Sequence, residues 1–401
     1  MSRFKRLCLV LIATVLMGGC STFRNVVYTQ DERRTEQPAF FMDRRGDLYP
    51  SGDVYVSKWG VLGHRFKEAN LEAHFRRQAR RQSPDWQQLL RSTGVQATGN
   101  FESDWNSVQN VLVRRAAETF KHEGAGDVLL VVHGFNNDFS KANEWLDPFQ
   151  DHIRQAHPGT HVVRMYWDGL SNRTGIGIWG EAQYNGPHVG QSLRRILNQL
   201  DSGTRLRIFT HSSGAYVVVN ALGNGGASFQ DFSDRRWSEQ IRTRAGQTEG
   251  EYAIPTRIAD LRVAMLVPAQ PTTAFDRFTR NKQQGEGLAG VIPTLLILGT
   301  SAQDSATTKH FVGCDKFGVT CMATQPKSAC SEVRTALERP GQPAPVVVVD
   351  FPRPSGGDRH KHGVTAYMKD TQEWGRLIGT LLGPAGGEGA STHAGSVPIC
   401  S

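Results

Sequence analysis

From about residue 105 onward, apolar residues occur in short continuous runs, and each run is followed by a longer segment with helical periodicity. The runs are rich in Val, Ile, Leu and aromatic residues, which is typical of strands buried on both faces. They predict strands over residues 127–132, 161–167, 205–210, 261–267, 294–300 and 345–351. Because continuous apolar strands that alternate with helices form parallel sheets, the pattern predicts an α/β fold with a mostly parallel central sheet and helices on both faces.

Apolar positions spaced three and four apart predict the helices between these strands. They fall over residues 103–120, 139–156, 189–200, 214–222 and 366–383, with a further helix around 65–82. The same patterns divide the chain into four parts. These are a signal segment 1–19, an N-terminal tether and extension 20–104, an α/β domain 105–383, and a tail 384–401 rich in Gly, Ala and Ser.

The first twenty residues have the features of an export signal. Basic side chains at positions 3, 5 and 6 precede "LCLVLIATVLM", an apolar run too short to span a membrane comfortably. The run ends in "LMGGCS", which resembles the lipobox of bacterial lipoproteins. The resemblance implies cleavage before Cys20, a lipid on that residue and, from Ser21, an outer-membrane location in the bacterial cell envelope. An ordinary secretory signal with a chance cysteine is the alternative.

Charge is spread along the chain. The formal net charge is +8, and no block of basic residues is long enough to suggest nucleic-acid binding. The densest basic run, "HFRRQARRQ" at 74–82, alternates with apolar residues at helical spacing, which favours a solvated helix face. Contact with anionic lipid head groups is the alternative for this run.

Cysteine usage points to disulfides and away from metal. Four cysteines remain once the signal and the modified residue are set aside: Cys314, Cys321, Cys330 and Cys400. An even number in an exported chain predicts disulfides, and four allow three pairings. Cys314 with Cys321 would close the smallest loop and leave Cys330 for Cys400. No CxxC spacing occurs, and we expect neither a metal nor a cofactor.

The residues that follow the predicted strands carry the candidate chemistry, because sites in open parallel sheets form at the carboxyl ends of strands. "HGFNNDF" follows 127–132 and "THSSG" ends the strand at 205–210. A loop with Asp304 follows 294–300, and "RHKHGVTAY" with His360 and His362 comes after 345–351. A serine, an acid and a histidine therefore appear in the chain order of α/β-hydrolase triads.

The segments "VVHGFNNDF", "MYWDG" and "THSSGA" resemble a poorly characterised bacterial family of esterase- or lipase-like α/β-hydrolases. In that family a strand ends in HGYN or HGFN, and the nucleophile turn reads HSxG. The resemblance covers roughly 105–383. It implies an α/β-hydrolase fold, here with an N-terminal extension, and serine hydrolase chemistry.

The same resemblance assigns the triad. Ser212 is the predicted nucleophile because Gly214 lies two residues on, and Thr210 stands where the GxSxG pattern has its first glycine. A neutral hydroxyl needs a base, which would be His362, and Asp304 would orient the imidazole. The alternative interpretation of the serine pair is a cap for the next helix.

The acid and the base each have alternatives. Asp350 lies inside its strand and Asp315 is a weaker third choice for the acid. His360 is the alternative base, but "HGVTAY" after position 361 leads directly into the last helix, as in the family.

The predicted oxyanion hole consists of the backbone N–H groups of Phe135 and Ser213. His133 is interpreted as a structural part of this loop, which Asn136 would tie down. Glycine-rich residues 169–186 would form either an acyl-pocket wall or a long packed loop, and the polar insertion 223–259 would overhang the site.

These observations predict a carboxylic ester hydrolase that works through an acyl-enzyme on a small-molecule or lipid ester. Its lipid would anchor it to the membrane. The alternative is a non-catalytic envelope lipoprotein that uses the same fold for binding or assembly, since fold alone does not give function.

Overall fold

The structure is a computed structural model that describes most of the chain between positions 25 and 383. The described residues are 25–58, 61, 70–122, 127–171, 178–223, 258, 260–270, 295–307, 321–325, 327, 330–331, 333–334, 346–352 and 362–383. The signal segment, Cys20, the tail, positions 65–69 of a predicted helix and most of the insertion 223–259 lie outside them. None of the helices in this described part is long and apolar enough to span a bilayer.

Seven parallel strands form one sheet in the order β1-β3-β2-β4-β5-β6-β7. The strands are β1 Ala39–Met42, β2 Val128–Val132, β3 His161–Trp167, β4 Arg205–His211, β5 Asp260–Leu266, β6 Leu295–Thr300 and β7 Val346–Asp350. All six predicted strands are present. The seventh, β1, was missed because its four residues, "AFFM", are too few to show a period.

Nine helices have both ends among the described residues, besides one short 3₁₀ turn. They are α1 Gln30–Arg33, α2 Leu71–Arg80, α3 Pro84–Thr93, α4 Phe101–Glu118, α5 Phe139–Ala156, α6 Ile178–Leu197, α7 Gly214–Leu222, α8 Val364–Tyr367 and α9 Thr371–Leu382. The chain moves one way along the sheet from β2 to β3 and the other way from β3 to β4. Because such crossovers are right-handed, α5 and α6 cover opposite faces of the sheet.

The reversal of direction between β2 and β4 sets the place of the site. These two strands are neighbours, with Val132 opposite Thr210, and the chain leaves them toward opposite faces. Crevices form at the carboxyl ends of strands at such a switch point. The loops after β2 and β4 hold "HGFNN" and "HSSG", so both predicted motifs meet there.

The glycine-rich stretch 169–186 is not one long loop, because α6 begins at Ile178. The last glycine of this stretch and another just after it allow α6 to pack closely on α7. A Cβ on Gly186 would lie 2.7 Å from the Tyr216 ring, and one on Gly190 would lie 2.8 Å from the Val217 carbonyl oxygen. The glycines thus serve helix packing, and the loop interpretation was wrong for residues 178–186.

The N-terminal arm, residues 25–58, is joined to the edge of the sheet. The Val26 N–H donates to Asp168 Oδ1 at 2.9 Å, and the Tyr28 hydroxyl donates to the Trp167 carbonyl oxygen at 2.9 Å. Strand β1 then pairs with β3, and the arm shares the main hydrophobic core. The division of the chain at residue 104 stays a prediction.

The disulfide pairings also stay predictions. Cys330 is buried, whereas Cys314, Cys400 and the side chain of Cys321 lie outside the part of the chain that is described.

Candidate active site

Ser212 lies on a sharp turn between β4 and α7. Its φ of 55° is left-handed, which is costly for a residue with a side chain and is found where the surroundings hold it in place. The Ser212 N–H donates to the Leu266 carbonyl oxygen at 3.0 Å, and the Ala269 N–H donates to the Ser212 carbonyl oxygen at 3.2 Å. The turn therefore has the strained form of a nucleophile elbow although Thr210 replaces the first glycine.

Two glycines make room for this turn. A Cβ on Gly214 would lie 2.6 Å from the Val132 carbonyl oxygen, and one on Gly134 would lie 2.8 Å from the Ser212 Cβ. Helix α7 and the loop after β2 can approach the serine only because both positions lack a side chain.

The structure brings the three predicted triad residues into one hydrogen-bonded chain. His362 Nε2 lies 2.8 Å from Ser212 Oγ, and His362 Nδ1 lies 2.9 Å from each carboxylate oxygen of Asp304. Because the carboxylate can only accept, Nδ1 carries the hydrogen and Nε2 is left to accept from the serine hydroxyl. This is the tautomer that a base acting on Ser212 requires.

Asp304 is fully buried and is held as a carboxylate. Burial alone would raise its pKa, but the hydrogen bond and charge of His362, together with Tyr367 and Thr307, hold the pKa well below its usual range. The Tyr367 hydroxyl donates to Oδ2 at 2.6 Å, and the Thr307 N–H and hydroxyl donate to Oδ1 at 2.8 Å each. Burial and the charge of Asp304 raise the pKa of Tyr367, which keeps it a donor.

His211 connects the elbow to the loop of the base. Its Nε2 lies 2.7 Å from the carbonyl oxygen of His362, and the two rings are 4.7 Å apart between centroids. Burial, then the neighbouring His362, lowers the pKa of His211 to about 3, so the ring is neutral. A carbonyl oxygen accepts, so Nε2 carries the hydrogen and donates it.

A hydrogen bond joins the two loops that carry the predicted oxyanion donors, and it engages one of those donors. The Phe135 N–H donates to the Ser213 hydroxyl oxygen at 2.7 Å, across the gap between the loops after β2 and β4. Ser213 is the N-cap residue of α7, yet its side chain makes no capping hydrogen bond. The helix-cap interpretation of this serine was wrong, because its hydroxyl points to Phe135 instead.

The loop after β2 is fixed by a buried histidine. The Trp167 N–H donates to His133 Nε2 at 3.1 Å, so His133 Nδ1 carries the hydrogen and donates to the Gly134 carbonyl oxygen at 2.7 Å. Burial lowers the pKa of His133 to about 4. Both ring nitrogens make hydrogen bonds to the backbone, which supports a structural role for His133.

Two asparagines hold the same loop in different ways. The Asn137 amide donates to the carbonyl oxygens of Gly134 and Phe135 at 3.0 and 3.1 Å. Asn136 has a φ of 59°, and its backbone N–H contacts the Gly169 carbonyl oxygen at 3.4 Å. The Asn136 backbone and the Asn137 side chain both hold this loop.

The structure describes one of the three alternative residues for the acid and the base. Asp350 ends β7, is exposed and accepts from the Thr300 hydroxyl, whereas Asp304 contacts the histidine. His360 and Asp315 lie outside the described residues.

Three further site residues were not singled out from the sequence: His211, Thr307 and Tyr367. Two of them had a signal, since Thr307 stands three residues after Asp304, a spacing that suits a side-chain turn, and Tyr367 stands in "HGVTAY".

A small apolar cluster lies beside the oxyanion donors. Leu170 and Ala182 are buried together, and Phe135 packs against them. An apolar surface at this position suits the carbon chain of an acyl group. Among the described residues, no group of three His, Cys, Asp or Glu side chains is arranged to hold a metal ion.

Comparison with known proteins agrees with the fold. The family model described as "Alpha/beta hydrolase of unknown function (DUF900)" matches residues 110–233, which include β2, β3, β4 and Ser212 but end before Asp304 and His362. No curated protein matches, and no solved structure matches. With the seven-stranded parallel sheet, the match confirms the predicted α/β-hydrolase fold.

Proposed function

We propose that this protein is a serine hydrolase that cleaves carboxylic esters through an acyl-enzyme. One observation carries the proposal: His362 Nε2 lies 2.8 Å from Ser212 Oγ, while Nδ1 of the same ring contacts the buried Asp304. A base within hydrogen-bond reach of a serine, oriented by a third group, is the arrangement that activates a hydroxyl for attack.

The reaction follows from the positions of these groups. Ser212 Oγ attacks the ester carbonyl carbon while its proton passes to His362 Nε2, and Asp304 stabilises the resulting imidazolium. The carbonyl oxygen becomes an anion at the Ser213 N–H, and the Phe135 N–H acts on it through the Ser213 hydroxyl, to which it donates. A direct donor contributes about 3–4 kcal/mol to the transition state. His362 returns the proton to the departing alcohol. Water, activated by the same histidine, then releases the acid and frees Ser212.

We also propose that the protein is held in the bacterial envelope, at the outer membrane, by a lipid on Cys20. The support is the "LMGGCS" motif after a short apolar run. Mass spectrometry of the mature N-terminus checks this directly. We expect a diacylglycerol-modified Cys20, and an unmodified N-terminus at another residue would contradict the anchor.

Hydrolysis of p-nitrophenyl esters by single and double variants tests the catalytic proposal. Ser212→Ala and His362→Ala should each remove most of the activity, and the double variant should cost little more, because the residues act as a unit. Asp304→Asn should cost somewhat less, since nucleophile and base remain. Full activity in Ser212→Ala would contradict the mechanism. If no preparation of the protein hydrolyses these esters, the result would favour the alternative of a non-catalytic lipoprotein used for binding or assembly.

A further inference from the structure

The described part of the N-terminal arm begins at the same edge of the sheet as the candidate active site. Val26 is hydrogen-bonded to Asp168, which directly follows β3, and Asn25 beside it is buried. Ser212 directly follows β4, and both strands neighbour β2. Adjacent strands are about 4.8 Å apart, so the arm is fixed at about 10 Å from the nucleophile's strand.

The chain between the proposed lipid and this fixed point is short. Five residues lie between Cys20 and Val26, and the six steps from one to the other reach at most about 21 Å when fully extended. A folded chain of this size is about 50 Å across. A lipid on Cys20 would therefore keep the carboxyl edge of the sheet in the half of the molecule nearest the membrane.

The densest basic segment begins at the same edge. The N–H of Leu71, the first residue of α2, donates to Asp43 Oδ2 at 2.7 Å, and Asp43 directly follows β1. Farther along α2, the Arg76 guanidinium lies 4.5 Å from the ring centroid of Phe101, the first residue of α4. Helix α4 leads back to the start of β2, so its own first residues lie toward the carboxyl edge of the sheet.

The charge of this segment is directed outward. Leu71, His74 and Phe75 are buried, whereas Arg77, Arg80 and Arg81 are exposed. Basic side chains near a membrane are attracted to the negative surface that anionic lipids create.

We propose that the carboxyl edge of the sheet, with Ser212, faces an anionic lipid surface, and that the substrate is the ester of an amphiphile resident in that membrane. The substrate class rests on the proposed function, whereas the orientation rests on the arm and the basic helix. An edge held near the bilayer meets membrane esters at high local concentration because substrate and site share one surface.

Photo-crosslinking of the full lipidated chain tests the orientation. A photoreactive amino acid replaces either Ser140 or Ser202, both exposed, in vesicles of phosphatidylethanolamine and phosphatidylglycerol. Ser140 lies in the first turn of α5, just after the β2 loop, and Ser202 precedes β4 at the opposite edge. We expect lipid adducts at Ser140 to exceed those at Ser202 at least tenfold. Equal adducts, or more at Ser202, would overturn the proposal.

Charge reversal tests the basic segment with a matched control. Arg80→Glu with Arg81→Glu should lower the adducts at Ser140 severalfold in these vesicles but not in neutral phosphatidylcholine. Arg114→Glu with Arg115→Glu, exposed near the far end of α4, should leave them unchanged. Loss with both pairs, or with neither, would contradict an anionic lipid surface at this edge.

Fluorophosphonate labelling of the same preparations separates the two proposals. If Ser212 is labelled but the two edges give equal lipid adducts, the proposed hydrolase activity is supported and the proposed orientation is contradicted. If lipid adducts are confined to Ser140 but Ser212 is not labelled, the proposed orientation is supported. The proposed ester substrate and the proposed function are then both contradicted.

Discussion

Ser213 illustrates how a residue can have a second role that its position in the sequence does not show. The HSxG pattern assigns it a backbone N–H only. In the structure its hydroxyl also accepts from the Phe135 N–H at 2.7 Å. A hydroxyl that accepts one hydrogen bond is a better donor for the next, so the Ser213 O–H can donate a hydrogen bond to the developing oxyanion.

We therefore expect Ser213→Ala to lower kcat for p-nitrophenyl esters about tenfold, less than the roughly 100- to 1,000-fold loss of a direct oxyanion donor, because the Ser213 N–H remains. KM should change less, because the charge develops only in the transition state. Ser213→Thr, which keeps the hydroxyl, should recover most of the rate. An Ala variant with the wild-type kcat would show that only the backbone of Ser213 takes part.

His211 is a positioning residue in this account. Its Nε2–H holds the carbonyl oxygen of His362, and a small displacement of the base is enough to cost a large factor in rate. We expect His211→Ala to lower kcat about 10- to 100-fold with KM nearly unchanged. His211→Gln, which can still donate, should lose less. A fall in thermal stability with an unchanged kcat would show a merely structural part.

At the residue scale, the order of residues along the sequence identified candidate catalytic residues where they directly follow predicted strands. Ser212, Asp304 and His362 could be selected because each follows a strand. His211 could not be selected, and the "HGVTAY" motif did not show what Tyr367 would contact. The hydrogen bonds of these residues, to the His362 backbone and to Asp304, depend on how separate loops come together in space.

The elbow is the element on which the site depends. Gly214 begins α7 directly beneath the end of β2, where the Val132 carbonyl oxygen occupies the space that a Cβ would need. The tight turn therefore requires glycine for close approach rather than for a special φ.

Gly214→Ala should accordingly destabilise the protein by about 1–3 kcal/mol, the usual cost of overpacking a dense core. It should also impair ester hydrolysis more than this loss explains, because the shift falls on Ser212. Urea unfolding followed by tryptophan fluorescence, together with kcat, provides the measurement. Gly203→Ala, in open space before β4, is the matched control and should alter neither.

Elements were predictable in proportion to their length and regularity. The six apolar strands were found, and helices 139–156 and 214–222 coincide with α5 and α7. The start of α6 was missed because glycines at 180 and 186 resemble a loop, whereas Gly186 serves a contact with α7 that only the tertiary structure shows. β1 was missed because it gains its stability from pairing with β3.

At the scale of the whole molecule, the arm is fastened to the sheet through a buried acid. Asp168 accepts from the N–H groups of Val26 and Leu170 at 2.9 Å each. Burial raises its pKa to about 7, despite these hydrogen bonds. The native state therefore keeps a proton that the unfolded chain releases near pH 4.

This difference predicts a pH-dependent stability. Because the folded state binds more protons, the free energy of unfolding should fall as pH rises from about 4 to about 7. The Asp168→Asn variant removes this contribution. Relative to the wild type, it should gain stability over that range, by up to about 4 kcal/mol, since a tenfold change in proton affinity is worth about 1.4 kcal/mol.

Urea unfolding of both proteins at pH 4, 5.5 and 8 measures the difference. Comparison with wild type cancels the titrating groups that do not act on Asp168, whereas Asp43, whose charge also raises the pKa of Asp168, contributes to the difference. A difference that stays constant with pH would show that Asp168 is ionised in the folded protein throughout.

The central claim is that Ser212 is an activated nucleophile, and one measurement addresses it most directly. The protein is treated with a fluorophosphonate, and intact-mass and peptide mass spectrometry locate the adduct. Ser212 Oγ attacks phosphorus, fluoride leaves and His362 takes the proton, so the account predicts one phosphonyl group per chain on Ser212. Ser212→Ala should take up none, and His362→Ala should react far more slowly. A wild-type protein that stays unlabelled, or a Ser212→Ala variant that is labelled at the wild-type rate, would contradict the account.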